Sequence, residues 1–178
     1  MPMNRTKLNG FTMIEVMVTI VIVAIGLLGL AALLLRGMQA GNTSQLRSYA
    51  VAQAYDMADR MRANPAGLAA GHYDNIIPTG SSASCSTLLA SPSSSPAAVA
   101  PPTTSPGTCG ACSSAACTVA NVAARDKCIW QQTNSGLLPN GAGAICKDSS
   151  KNWYTIYVSW DESRSGTTDK SFSISFEP

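Results

Sequence analysis

Gly10-Phe11-Thr12-Met13-Ile14-Glu15 lies at the border between a short basic segment and an uncharged apolar run that continues to Leu35. Ahead of it, residues 1–9 carry Arg5 and Lys7. Behind it, Val16 to Leu35 supplies about the twenty apolar residues needed to cross a hydrocarbon core of roughly 30 Å. A conventional secretory signal has an apolar region of only about 7 to 15 residues and an A-x-A-like cleavage site. The longer run predicts a membrane-spanning helix with its N-terminus on the cytoplasmic side. Glu15 stands at the rim of that run, where a carboxylate is costly unless it is paired or hydrogen-bonded. It therefore marks a functional position in need of a partner.

Read as a whole, Gly10-Phe11-Thr12-Met13-Ile14-Glu15-Val16-Met17-Val18-Thr19-Ile20 resembles the class III leader junction of type IV pilins and type II secretion pseudopilins. The resemblance implies an α+β, type IV pilin-like fold, in which a long N-terminal helix packs on a small antiparallel sheet. It also implies that a prepilin peptidase cuts between Gly10 and Phe11, that Phe11 is then N-methylated, and that Glu15 acts in assembly. A new ammonium on Phe11 of one subunit and the Glu15 carboxylate of its neighbour lower each other's desolvation cost and align the two chains axially. The implied partners are the peptidase, the inner-membrane assembly platform, the lipid bilayer before assembly, and the other minor pilins with the major pilin. The implied location is a single-pass inner-membrane protein with a periplasmic C-terminal domain, extracellular once assembled into a pilus.

At 178 residues the chain has room for one ordinary domain and an appendage. Twelve Lys and Arg face ten Asp and Glu; losing Arg5 and Lys7 with the leader leaves the two signs balanced. Without a clustered basic stripe, nucleic acid is not expected as a main partner. All six cysteines, Cys85, Cys109, Cys112, Cys117, Cys128 and Cys146, follow the apolar run. Export would carry them into an oxidising compartment, so they are expected as disulfides, although spacing alone selects no pairing.

Beyond Arg36, Leu46, Ala50, Ala54, Met57 and Met61 recur at intervals of three or four, the stripe of an amphipathic helix. Pro65 discourages helix at Asn64, so the helix is expected to end near residue 63. The expected organisation is a leader over 1–10, a membrane or filament-core half-helix over 11–35, an amphipathic half over 36–64, and a globular head over 65–178. Gly26, Gly29, Gly37 and Gly41 weaken the helix or allow close helix approach.

Residues 75–124 lack Lys, Arg, Asp and Glu and are interrupted by Ser-Pro and Pro-Pro steps, so they read as loop. Cys109-x-x-Cys112 raises zinc or redox chemistry, but the single histidine, His72, and the missing strand-helix alternation favour disulfides. Residues 121–138 read as a short helix packed by Val122, Ile129, Trp130, Leu137 and Leu138; Cys128 and Cys146 lie on either side of the Leu137-Leu138-Pro139 turn that ends it, and the other four cysteines would tie the loop. Tyr154, Ile156, Val158 and Trp160 alternate with Thr155, Tyr157 and Ser159, and Phe172, Ile174 and Phe176 alternate with serines. Both patterns predict half-buried strands joined through a polar turn, with 142–147 as a third strand.

Within the pilin-like families, Ala58-Asp59-Arg60-Met61-Arg62-Ala63-Asn64-Pro65, Asp126 with Trp130, Leu138-Pro139-Asn140-Gly141-Ala142-Gly143 and Tyr157-Val158-Ser159-Trp160 resemble the V-type minor pilins, the type IV pilus modification family. That resemblance implies a low-abundance subunit that helps prime pilus assembly near the tip. A type II secretion minor pseudopilin and an adhesive or DNA-binding tip pilin are the alternatives. One histidine, scattered acids and no nucleophile motif give no catalytic constellation, so neither enzyme activity nor a cofactor nor a bound metal is expected.

Overall fold

A computed structural model of the chain describes residues 10–78, 83–90, 109–110, 117–166 and 168–178. The elements are α1 (Met13–Ala63), α2 (Pro65–Ala69), α3 (Cys85–Ala90), α4 (Val119–Leu137), β1 (Ala142–Asp148), β2 (Trp153–Trp160) and β3 (Lys170–Phe176). Two compact units divide the chain, one reaching Asn42 and the other running from Thr43 to Pro178. In the first, every described residue is exposed. Its helix is long and apolar enough to cross a membrane.

The second unit has the α+β, pilin-like arrangement: the rest of α1 packs on a three-stranded antiparallel sheet of order β1-β2-β3. The stripe on α1 is buried as its spacing predicts, with Leu46, Ala50, Ala54, Met57, Ala58 and Met61 all inside. Small residues at 50, 54 and 58 let the helix approach the sheet, and the two methionines fill the space between. Fully burying each methionine contributes about 1.5–3 kcal/mol. Asn64 leaves the helix with extended φ, Pro65 occupies the first turn of α2, and the Asn64 side chain accepts from Gly67 N–H at 3.1 Å. Helix α1 ends at Ala63 because the next residue caps a new helix.

Four expectations need correction. Residues 75–124 are not all loop: Ile76 bridges Ile145, Cys85–Ala90 is helical, and α4 begins at Val119. Ser84 and Thr87 form a reciprocal cap, each hydroxyl accepting from the other's backbone N–H, so serine content that reads as loop here starts a helix. Helix α4 does not pack through Leu137, which is 42% exposed; its buried line is Ala123, Trp130 and Asn134, continued by Leu138. The polar Asn134 in that line defeats a reading by hydropathy, and Val122 and Ile129 are only half-buried.

Strand β2 is not half-buried: Tyr154 through Trp160 are all inside. It is the central strand, and its second face is covered by Ala83 and Leu88, with the Tyr157 hydroxyl donating to the Leu88 carbonyl at 2.8 Å. The cysteine pairing also differs. Cys85 is bonded to Cys146, and Cys109 to Cys128, so each bond joins the 75–124 segment to a strand or helix instead of joining Cys128 to Cys146. The cause is placement: Cys146 on β1 faces α3, where Cys85 sits, and Cys128 lies half-buried on α4. Cys112 lies outside the described residues, and Cys117 is exposed.

Candidate anchoring and assembly site

Of the junction residues, Gly10, Phe11 and Thr12 precede α1, and Met13, Ile14 and Glu15 open its first turn. Glu15 and Val16 donate their backbone N–H groups to the Thr12 carbonyl, at 3.1 and 3.4 Å. Glu15 is thus placed in the first helical turn, where the free N–H groups and the helix dipole favour an anion by about 0.3–1 kcal/mol. That is small beside the cost of holding a carboxylate at a lipid boundary. Phe11 is 83% exposed, and among the described residues no ion pair reaches Glu15.

Glycines separate into two kinds. A Cβ placed on Gly10, Gly26, Gly29, Gly37 or Gly41 would meet nothing within 4 Å. Among the described residues, then, no close packing requires glycine at these positions. A Cβ on Gly143 would come within 2.2 Å of the Trp130 ring, and one on Gly141 within 2.1 Å of the Asn134 carbonyl. Those glycines serve the fold, because α4 lies directly on β1 there.

In the second unit, a polar latch joins the end of α1 to α4. Arg60 donates from Nε to Asp56 at 2.8 Å and stands 3.5 Å from Asp126. Tyr73 donates to Asp126 at 2.8 Å, and Asn64 Nδ2 donates to the Tyr73 hydroxyl and to the Val119 carbonyl. Burial first, then the bond to Asp126, pushes the Tyr73 phenol up to about 12, while Asn64 and Arg60 oppose the rise. Asp56 before Asp126 raises the already high Arg60 guanidinium further, against the effect of burial. Deeper in, the Trp130 indole N–H donates to the Gln53 carbonyl at 2.8 Å, tying α4 to α1.

What remains is whether the junction belongs to a known type. Residues 5–31 match the prokaryotic N-terminal methylation motif. No curated protein and no solved structure matches the chain. The prepilin-type leader supports a type IV pilin or pseudopilin, a structural class processed by prepilin peptidase, and the exposed apolar helix that follows suits membrane anchoring.

Alongside this prepilin-type leader, the structure gathers Gly10, Phe11 and Glu15 within one stretch at the start of α1. Among the described residues the cysteines form no single site: two bonds staple separate points of the second unit. Among the described residues no three of His, Cys, Asp and Glu are grouped to hold a metal ion. Sequence reading singled out Arg60, Asn64 and Asp126 but missed Tyr73, which completes the latch, and Asp74, which accepts from Tyr154 and Lys147. Neither lies on a periodic segment, so only an aromatic next to an acid, Tyr73-Asp74, hinted at them.

Proposed function

We propose that this chain is a minor pilin, a structural subunit that helps prime type IV pilus assembly and enters the filament in or near its tip. The observation that carries the reading is a prepilin-type leader joined to an apolar helix whose described residues up to Asn42 bury nothing, with Glu15 held in its first turn. A helix of this kind is stable only in lipid or against other helices. Cleavage after Gly10 frees the Phe11 amine, and N-methylation keeps it cationic. Glu15 of an incoming subunit then pairs with that amine on its neighbour, which sets the axial step.

The V-type assignment draws support from where its motif residues fall. Arg60, Asn64 and Asp126 share one latch, and Trp130 lies on Gly143. Motifs scattered in sequence thus meet at two contacts of the second unit. The protein is expected in the inner membrane with its C-terminal domain in the periplasm, then on the extracellular pilus.

The test is a deletion strain complemented with variants. Gly10→Leu is expected to accumulate as a precursor about ten residues longer. Glu15→Ala is expected to be cleaved normally yet to cross-link poorly to other pilins and to give fewer surface pili. Normal piliation with lost protein secretion in the deletion strain would replace this reading with that of a type II pseudopilin.

A further inference from the structure

The two edges of the sheet, β1 and β3, are finished differently. Along β1 the backbone groups pointing away from β2 are met one after another. Gly143 N–H donates to Gln131 Oε1 at 3.0 Å, and its carbonyl accepts from Gln131 Nε2. Ile145 exchanges both backbone bonds with Ile76, at 2.7 and 2.8 Å. Lys147 N–H donates to Asn75 Oδ1 at 3.3 Å.

These outward positions, 143, 145 and 147, fix the phase of the whole ladder, because backbone groups alternate sides along a strand. Residues 155, 157 and 159 of β2 then bond to β1, and 154, 156, 158 and 160 bond to β3. Through the register Tyr154↔Phe176 to Trp160↔Lys170, the groups of Ser171, Ser173 and Ser175 point outward from β3. Asp169 N–H also reaches the Trp160 carbonyl, at 3.1 Å, as the bulged end of such a ladder does. Among the described residues no backbone bond meets the outward groups of these serines. From Ser171 to Phe176 there is no charge, Pro or Gly. Edges that stay single are blunted by charge, by Pro or by a covering segment.

We propose that the outer edge of β3 accepts an extended strand from a different subunit of the filament, paired backbone to backbone at Ser171, Ser173 and Ser175. The proposal rests on the pilin reading above. A row of N–H and C=O groups at two-residue spacing is matched by another extended backbone. In a filament, copies of one chain are related by a screw, so contact between them joins two unlike patches. Among the described residues, the strand edge a second copy would have to present is β1, which Gln131, Ile76 and Asn75 already fill. The donor is therefore another chain, and this sheet takes one strand and offers none.

The full chain, expressed in the cells that build the filament, is compared with Ser173→Pro. That substitution removes an outward N–H unused within the chain, at the kind of edge position where Pro is tolerated. Leader removal and disulfides should be unchanged, while co-purified partner subunit falls roughly tenfold or more, the equivalent of losing one or two backbone bonds. A benzophenone amino acid at position 171 of the otherwise unaltered chain should give a photo-adduct with a different subunit, and this result decides the matter if Ser173→Pro folds poorly. Undiminished partner recovery with well-folded Ser173→Pro, no adduct, or an adduct with a second copy alone overturns the proposal. Failure of the pilin reading is seen separately, as normal piliation with lost protein secretion in the deletion strain.

Discussion

Gly143→Ala places a methyl group where the structure has none to spare. The new Cβ would stand 2.2 and 2.4 Å from the Trp130 ring and 2.8 Å from Asn134 Nδ2. The ring has little freedom to retreat: Trp130 is fully buried, and its indole N–H is committed to the Gln53 carbonyl at 2.8 Å. Either α4 lifts from β1, straining the two Gln131 bonds to Gly143, or the indole bond to α1 lengthens. Overpacking a filled core costs about 1–3 kcal/mol, and weakening one hydrogen bond adds about 1. A destabilisation of about 2–4 kcal/mol is expected, which lowers Tm by roughly 8–16 °C at about 4 °C per kcal/mol. The assay is thermal and urea unfolding of the purified full chain in detergent, followed by tryptophan fluorescence and near-UV circular dichroism. Gly136→Ala is the control, since that site on α4 is exposed and open; it should be neutral or stabilising by up to about 1 kcal/mol. Trp130→Phe removes the ring atoms that clash, so in that background Gly143→Ala should cost markedly less. If Gly143→Ala lies within about 0.5 kcal/mol of wild type, α4 is not seated on β1 as described.

Non-reduced peptide mapping should recover Cys85 linked to Cys146 and Cys109 linked to Cys128; a Cys128–Cys146 peptide would refute the arrangement. Their separations of 61 and 19 residues make removal of each bond worth about 4 and about 3 kcal/mol when taken alone, less together because one loop lies inside the other. Tyr73→Phe should cost about 1–2 kcal/mol through the lost bonds to Asn64 and Asp126. Because the folded phenol holds its proton to about 12 and an unfolded one to about 10, wild-type stability should fall between those pH values, and the Phe variant should lose that part of the decline. Burial alone would push the Asp161 carboxyl up, but the Gly166 and Ser165 N–H groups, the Ser163 hydroxyl and the Asn140 amide together hold it down. Its contribution is present above about pH 4 and is lost on acidification through the lower folded value, so urea midpoints should drop there for wild type and less for Asp161→Asn.

Periodicity carried most of the fold. The spacing of Leu46, Ala50, Ala54, Met57 and Met61 located the packed face of α1, and the alternation around Tyr154 and Phe172 located β2 and β3. What it could not carry was anything decided by a distant neighbour. The Ser84 and Thr87 cap is legible only once Leu88 has Tyr157 to rest on. Asn134 looks like a surface residue until α4 is laid on Gly143. At the leader junction the reverse holds: Gly10, Phe11 and Glu15 were conspicuous in sequence, yet among the described residues nothing lies within 4 Å of a Cβ on Gly10 and no ion pair reaches Glu15.

The two disulfides fix where this head tolerates change. Residues 91–108 join the end of α3, fastened to β1 through Cys85, to Cys109, fastened to α4, and β1 and α4 are already locked together by Trp130 and Gly143. The frame therefore does not depend on how many residues lie between the fasteners. Doubling the length of a closed segment costs only about 0.6 kcal/mol in closure entropy. Such a stretch acts as a cassette: it can be lengthened, shortened or rewritten while the latch, the sheet and the leader junction stay as they are.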